Sequence, residues 1–255
     1  MSEVHRVAAE GFQAAAEVYA RNRPDYPEAL LAWLGEALGL GPGRACLDLG
    51  AGTGKFTRLL TRTGAEVTAV EPVEAMRGQL QAALPGLRIL AGTAQAIPLP
   101  AGAVDAVVCA QAFHWFATLE ALAEIHRVLK PGGRLGLVWN VRDESVDWVA
   151  ELAGIMARHE HGAPRHESGQ WRQAFAGAPF TPLEELRLPH QQVGPPGEVI
   201  IGRCLSMSFI ARLPEAKRNR VAAELQTLID RHPALRGRET VAYPYRTCAY
   251  SCIRC

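Results

Sequence analysis

Between Arg44 and Asn140, short apolar or β-branched runs alternate with stretches whose apolar residues recur at helical spacing. The runs "ACLDLG", "EVTAVE", "LRILAG", "VDAVVCA" and "RLGLVWN" predict strands, and "KFTRLLTRTG", "EAMRGQLQAAL" and "ATLEALAEIHRVLK" predict helices between them. Nearly continuous apolar strands separated by helices predict a mostly parallel sheet covered on both faces, the doubly wound α/β class. Two helical stretches precede this core, Val4–Tyr19 and Glu28–Leu38, with the helix-breaking "RPDYP" between them. Beyond it, Trp148–His159 and Gly197–Leu213 predict helices, and Glu215–Arg231 has clear amphipathic spacing. Residues 162–196, rich in Gly and Pro, read as a variable lobe or cap. The late run "VAYPYRTCAYSCI" predicts a strand, and Pro244 inside it predicts an edge position. On such a strand Cys248, Tyr250 and Cys252 share one face, with Cys255 opposite.

Composition changes this picture little. The chain has 255 residues, 48% hydrophobic and 21% charged, which suits one large α/β domain. A net charge of +1 gives no field that argues for nucleic acid, and no apolar run is long enough for a membrane span. The start "MSEVHRVAAEGF" lacks the apolar core of a secretory signal, so a cytoplasmic, reducing location is expected. The six cysteines are then expected as thiols or ligands rather than disulfides. Three of them, in "TCAYSCIRC", have a spacing that can hold an iron–sulfur cluster. Their place at the end of a chain that already has another cofactor loop argues for coincidence, and no metal is expected.

That other loop is "LDLGAGTGKF": a strand, then Gly50, Gly52 and Gly54 at alternate positions, then a helix. Glycines suit a sharp turn and a ligand pressed against the backbone. A dinucleotide fingerprint would read G-x-G-x-x-G, with a pyrophosphate at the helix N-terminus. Here Asp48 stands inside the strand just before the loop; its carboxylate would repel a pyrophosphate and suits an ammonium group. Glu71, ending the next strand, is placed to accept hydrogen bonds from ribose hydroxyls. Singly, Asp48 reads equally as a loop-capping residue and Glu71 as an acid near a helix start. Together they favour a cationic nucleoside.

With "VTAVEP", "AGTAQAIPLP", "VDAVVCAQAFHWF" and "EIHRVLKPGGRLGLVWN", the loop resembles the class I S-adenosylmethionine-dependent methyltransferases. More closely, the chain resembles their small-molecule subgroup that includes trans-aconitate methyltransferase-like proteins. The likeness covers residues 12–145 and extends weakly towards the end. It implies a seven-stranded Rossmann-like sheet forming one domain. Residues 1–40 would be a helical lid, 44–140 the S-adenosyl-L-methionine-binding core, and 141–255 a substrate-shaping lobe with the last strands. It implies that Gly50, Ala51 and Gly52 line the methionine part of the cofactor, with Asp48 near its amino group and Glu71 on the ribose. Pro72 and Met76 would lie by the adenine. Thr93 and Ala94 occupy the place of a Gly-Asp-Ala segment, with Thr93 where the family often has an adenine-binding Asp. Gln111 and Phe113 would close over the sulfonium, and Tyr19 and Arg23 match a lid segment.

Methyl transfer mainly requires donor and acceptor to be aligned and water to be excluded. His114, in "FHWF", borders the expected pocket as a substrate-orienting residue, a base, or a histidine bonded to a loop carbonyl. Trp115 predicts pocket wall. Asn140, Arg142 and Arg203 are candidates to contact an acidic acceptor, which favours transfer to an oxygen of a small organic acid. Transfer to a phenol or amine with His114 as base, and a cofactor-binding sensor without turnover, are the alternatives. His159, His161 and His166 read as residues of a solvated loop.

Overall fold

The computed structural model describes residues 23–160 and 164–255. The predicted helix Val4–Tyr19 and His161 lie outside the described residues.

Seven strands form one sheet in the order β3-β2-β1-β4-β5-β7-β6. They are β1 (Ala45–Leu49), β2 (Glu66–Val70), β3 (Arg88–Leu90), β4 (Val104–Ala110), β5 (Leu129–Arg142), β6 (Glu184–Gly194) and β7 (Val241–Ile253). β1 to β5 are parallel neighbours, whereas β7 runs antiparallel to both β5 and β6. The chain winds outward from β1 through β2 to β3, then crosses back to place β4 on the other side of β1. The carboxyl ends of β1 and β4 therefore diverge at a topological switch point, where open α/β sheets bind ligands.

Alternation along each strand covers both faces. Leu47 and Leu49 of β1, with Val107 and Cys109 of β4, enter one apolar cluster, while Cys46, Ala106 and Val108 enter the other. Helix α1 (Leu30–Glu36) packs Leu30, Trp33 and Leu34 on the second face, beside Leu59 and Leu60 of α2 (Thr57–Thr61). On the first face lies α4 (Leu119–Val128), after α3 (Glu74–Ala83). Thr118 caps α4 by accepting from the Ala121 amide at 3.2 Å, and Ala121, Leu122, Ile125 and Val128 give it an apolar stripe. A third cluster joins α5 (Asp147–Ala157), α6 (Glu215–Arg231), the helical stretch Gly197–Leu205 and Tyr243 and Tyr245 of β7.

Three expectations change. The lobe predicted over residues 162–196 contains β6, whose "EELRLPHQQVG" alternates exposed and half-buried positions. β7 is therefore an interior strand, and β6 takes the edge. Pro244 is tolerated because β5 ends at Arg142, opposite Tyr245; Pro244 lies just beyond that ladder, and its carbonyl accepts from the Asp143 amide at 3.1 Å. The predicted helix Gly197–Leu213 breaks after Leu205 and resumes only as Ser208–Ala211.

β7 does put Cys248, Tyr250 and Cys252 on one face, packed into the first cluster, and leaves Cys255 exposed. Cys248 and Cys252 thus have a packing role: burial pushes the Cys252 thiol up to about 12, which keeps it protonated. Among the described residues no helix is long and apolar enough to cross a membrane.

Candidate active site

Asp48 is fully buried near the end of β1, between Ala69 of β2 and Val108 of β4. Its Oδ2 accepts from the Thr57 hydroxyl at 2.6 Å, while Oδ1 has no partner among the described residues. Burial pushes its pKa up to about 7, against the pull of the Thr57 bond and with a further push from Glu71. Gly50, Gly52 and Gly54 then turn the chain at positive φ, 76°, 58° and 86°. A Cβ on Gly50 would stand 2.8 Å from that of Ala112, where the loops after β1 and β4 meet. Glycine here answers both to backbone conformation and to close approach.

Glu71, buried just beyond β2, ties the same loop from the side. Its Oε2 accepts from the Gly52 amide and its Oε1 from the Val73 amide, both at 2.9 Å. Burial raises its pKa, and these two amides together with Arg77 hold it back. Arg77 also donates to the carbonyls of Glu71 and Pro72, fixing the start of α3.

Asp48, Gly50, Gly52 and Glu71 line a cleft at the switch point. Arg23, Asp48, Gly50, Ala51, Gly52, Glu71, Pro72, Thr93, Ala94 and Gln111 all line it. Two expected residues do not. Met76 stands behind the loop, its Sδ 3.7 Å from where a Cβ on Gly52 would be, and Val73 takes its place on the cleft. Phe113 is fully buried against Phe116, Trp171 and Phe175, so Phe116 forms the wall instead. The helical turn Phe113–Trp115 sends Phe113 inward and leaves Trp115 on the cleft, a choice that an all-aromatic run does not reveal. Tyr19 lies outside the described residues.

A second compartment of about 720 Å³ adjoins the first. Arg23, Gln111, Trp115, Asn140 and Arg203 line both. Gln111, at φ 55°, is the single non-glycine residue with positive φ among the described residues, and its Nε2 donates to the Asn140 carbonyl at 3.0 Å. Asn140 is itself engaged: its amide donates to the Asp25 carbonyl at 2.9 Å and accepts from Thr247 at 2.6 Å. With His190 on the same Asp25 carbonyl and Lys55 on the Asp25 carboxylate, this holds the described start of the chain across the sheet's end.

His114 lies deeper. Its Nδ1 accepts from the indole N–H of Trp139 at 3.0 Å. Burial, then Arg23 and His166, push its pKa down to about 3. Arg142 is buried, 3.8 Å from the Glu160 carboxylate, and its Nη1 has no hydrogen-bond partner among the described residues. Arg165, also on this compartment, pairs with the other oxygen of Glu160.

A switch-point cleft with a glycine loop, an acid inside β1 and an acid after β2 can now be set beside known proteins. The sequence profile described as a methyltransferase domain matches residues 47–137. A methyltransferase-like protein of Schizosaccharomyces pombe is 37% identical over 244 residues, covering 91% of both chains. The chain belongs to the class I S-adenosylmethionine-dependent methyltransferases. A malonyl-[acyl-carrier protein] O-methyltransferase of Serratia marcescens is 35% identical over 175 residues, 61% of this chain and 69% of its own. A solved structure assigned as a type II methyltransferase of Anaeromyxobacter dehalogenans superposes with a TM-score of 0.63 at 29% identity, covering 91% of this chain and 96% of that one.

Sequence reasoning about this methyltransferase missed a third group of site residues. His166 is no solvated loop residue: it lines the second compartment, 4.9 Å from the Trp139 ring and stacked on Trp171 at 5.8 Å. Met207, Ser208 and Phe209 close the same wall. A signal was present in the pattern "HESGQW", where a histidine and a tryptophan flank a turn. The fact that both meet Trp139 and Tyr250 depends on β5 and β7 being neighbours. His159 does not join the site; it borders a surface hollow with Arg158 and Lys217.

Proposed function

We propose that this methyltransferase transfers the methyl group of S-adenosylmethionine to a carboxylate oxygen of a small organic acid. The bound cofactor supplies a methyl group on a sulfonium, an electrophile that needs an aligned nucleophile and little else. The enclosed Asp48 Oδ1 fits the cofactor's ammonium group, and the loop glycines give its methionine part access to the backbone. Glu71 keeps lone pairs free for ribose hydroxyls even while accepting two amides. Pro72, Val73, Thr93 and Ala94 form the adenine end, with the Thr93 hydroxyl as acceptor in place of a carboxylate.

The observation that carries the choice of acceptor is the Trp139–His114 hydrogen bond. A neutral imidazole that accepts at Nδ1 carries its proton on Nε2, so His114 offers the compartment a donor and no lone pair. Its lowered pKa agrees: an imidazole held neutral near pH 7 is a poor proton acceptor here. An ionised carboxylate needs no base, and it suits a compartment lined by Arg23, Arg142, Arg165 and Arg203. The malonyl group on which the Serratia relative acts ends in such a carboxylate. A phenol or amine acceptor would require His114 to do what its bond to Trp139 prevents.

The test is incubation with S-adenosylmethionine and separate panels of carboxylic acids, phenols and amines. Release of S-adenosylhomocysteine would be followed, with mass spectrometry of the product. Methyl esters are expected, and His114→Gln should lower kcat/KM about tenfold or less with no change in the shape of the pH profile. Products methylated at nitrogen or phenolic oxygen, with an acid limb that disappears in His114→Gln, would overturn the reading.

A further inference from the structure

Two histidines line the acceptor compartment, and their partners lock them in opposite senses. His114 presents Nε2–H, as above. His166 Nε2 lies 3.0 Å from the Tyr250 hydroxyl, which donates to Glu185 Oε1 at 2.8 Å. A hydroxyl has one proton. With it given to Glu185, the Tyr250 oxygen can only accept, so His166 Nε2 must be the donor. The neutral His166 ring then keeps its lone pair on Nδ1, and Nδ1 is enclosed with no partner among the described residues. Turning the ring would break its bond to Tyr250. Trp139 and Trp171 pack against it, and Trp171 Nε1 donates to the His166 carbonyl at 3.1 Å. An enclosed acceptor without a donor is unfavourable, and a ligand that supplies the donor recovers that free energy.

We infer that the acceptor is a hydroxy acid, whose hydroxyl donates to His166 Nδ1 while its carboxylate is held by His114 Nε2–H and Arg142. This rests on the carboxylate reading above and narrows it. A hydroxyl fits better than an ammonium group because Arg23, Arg142, Arg165 and Arg203 outnumber the acids beside them, Glu167 on the lining and Glu160 paired with Arg142 and Arg165. The two imidazoles thus divide the recognition between them. One donates to the group that is methylated, and the other accepts from the group that is not.

The experiment compares matched acids with and without the hydroxyl: lactate with propionate, 3-hydroxybutyrate with butyrate, malate with succinate, salicylate with benzoate. For each, kcat/KM is measured from S-adenosylhomocysteine release, with the methyl ester verified by mass. The intact enzyme should favour the hydroxy acid of at least one pair by about tenfold or more, the scale of one satisfied buried hydrogen bond. His166→Phe should reduce that preference to within about threefold, because kcat/KM for the hydroxy acid falls further than kcat/KM for the plain acid. His166→Asn, whose amide oxygen can stand near the Nδ1 position, should restore part of the preference. Equal kcat/KM within every pair, or an equal loss of both members in His166→Phe, would overturn the inference alone. No ester from any acid would overturn it together with the carboxylate reading.

Discussion

The cleft proposed for the cofactor and the compartment proposed for the acceptor meet at shared walls yet are built in different ways. The cleft takes its chemistry from segments at or just beyond the carboxyl end of a strand: Asp48 to Gly52 at the end of β1, Glu71 to Val73 after β2, Thr93 to Gln95 after β3. Its hydrogen bonds run mainly between those neighbouring loops, as when Gly52 donates to Glu71. The acceptor compartment draws on Arg23, His114, Arg142, His166 and Arg203, each from a different element or loop. Its polarity is set by distant partners, Trp139 for His114 and Tyr250 for His166. The first site is thus a property of strand ends, and the second a property of how β5, β7 and the C-terminal segments pack. Disturbing the first should therefore change cofactor affinity, and disturbing the second should change the acceptor alone.

The largest effect is expected from Gly50→Val. The new side chain must adopt φ 76° and push a Cβ within 2.8 Å of Ala112, so the loop has to move. Calorimetry should show S-adenosylmethionine affinity falling by more than about a hundredfold; a change within threefold would mean the loop does not form the cofactor site. Glu71→Ala should come next. It removes the expected ribose acceptor and orphans the amides of Gly52 and Val73, for a loss of about ten- to a hundredfold in cofactor affinity. Unchanged affinity would show that Glu71 only ties the loop.

The pH dependence of cofactor binding should expose Asp48. Its raised pKa means that the ligand-free protein gains from a protonated Asp48. That contribution to stability is present below the ordinary carboxylate pKa of about 4 and is lost as pH rises through about 7. An ammonium ligand wants the opposite state. Affinity should therefore rise about tenfold from pH 6 to pH 8 and level off above that, with proton release detectable by titration in buffers of different ionisation heat. In Asp48→Asn the slope should vanish. The smallest effect belongs to the acceptor side: Arg142→Gln should raise the acid acceptor's KM about tenfold while leaving cofactor affinity within about twofold. A matching fall in cofactor affinity would erase the distinction between the two regions.

What could be read along the chain follows the same division. The alternation of apolar strands and amphipathic helices from Arg44 to Asn140 determined the parallel half of the sheet. The reason is that burial on both faces leaves a local record in each strand. The glycine loop, Asp48 and Glu71 were legible because backbone turns and strand-end acids are short-range features. Met76 and Phe113 were misplaced because their sequence positions fix the loop they belong to and leave open which way a side chain leaves it. β6 was missed because its alternation is weak and carries His190, two glutamines and Pro189; only pairing with β7 makes it a strand. That pairing in turn moved β7 from the edge of the sheet to its interior, and β7 carries Cys248 and Cys252 into the core. Tertiary structure alone decided the protonation sense of His114 and His166. A histidine's tautomer is set by whatever partner the fold brings to its other nitrogen, and Trp139 and Tyr250 lie 25 and 84 positions away in the chain.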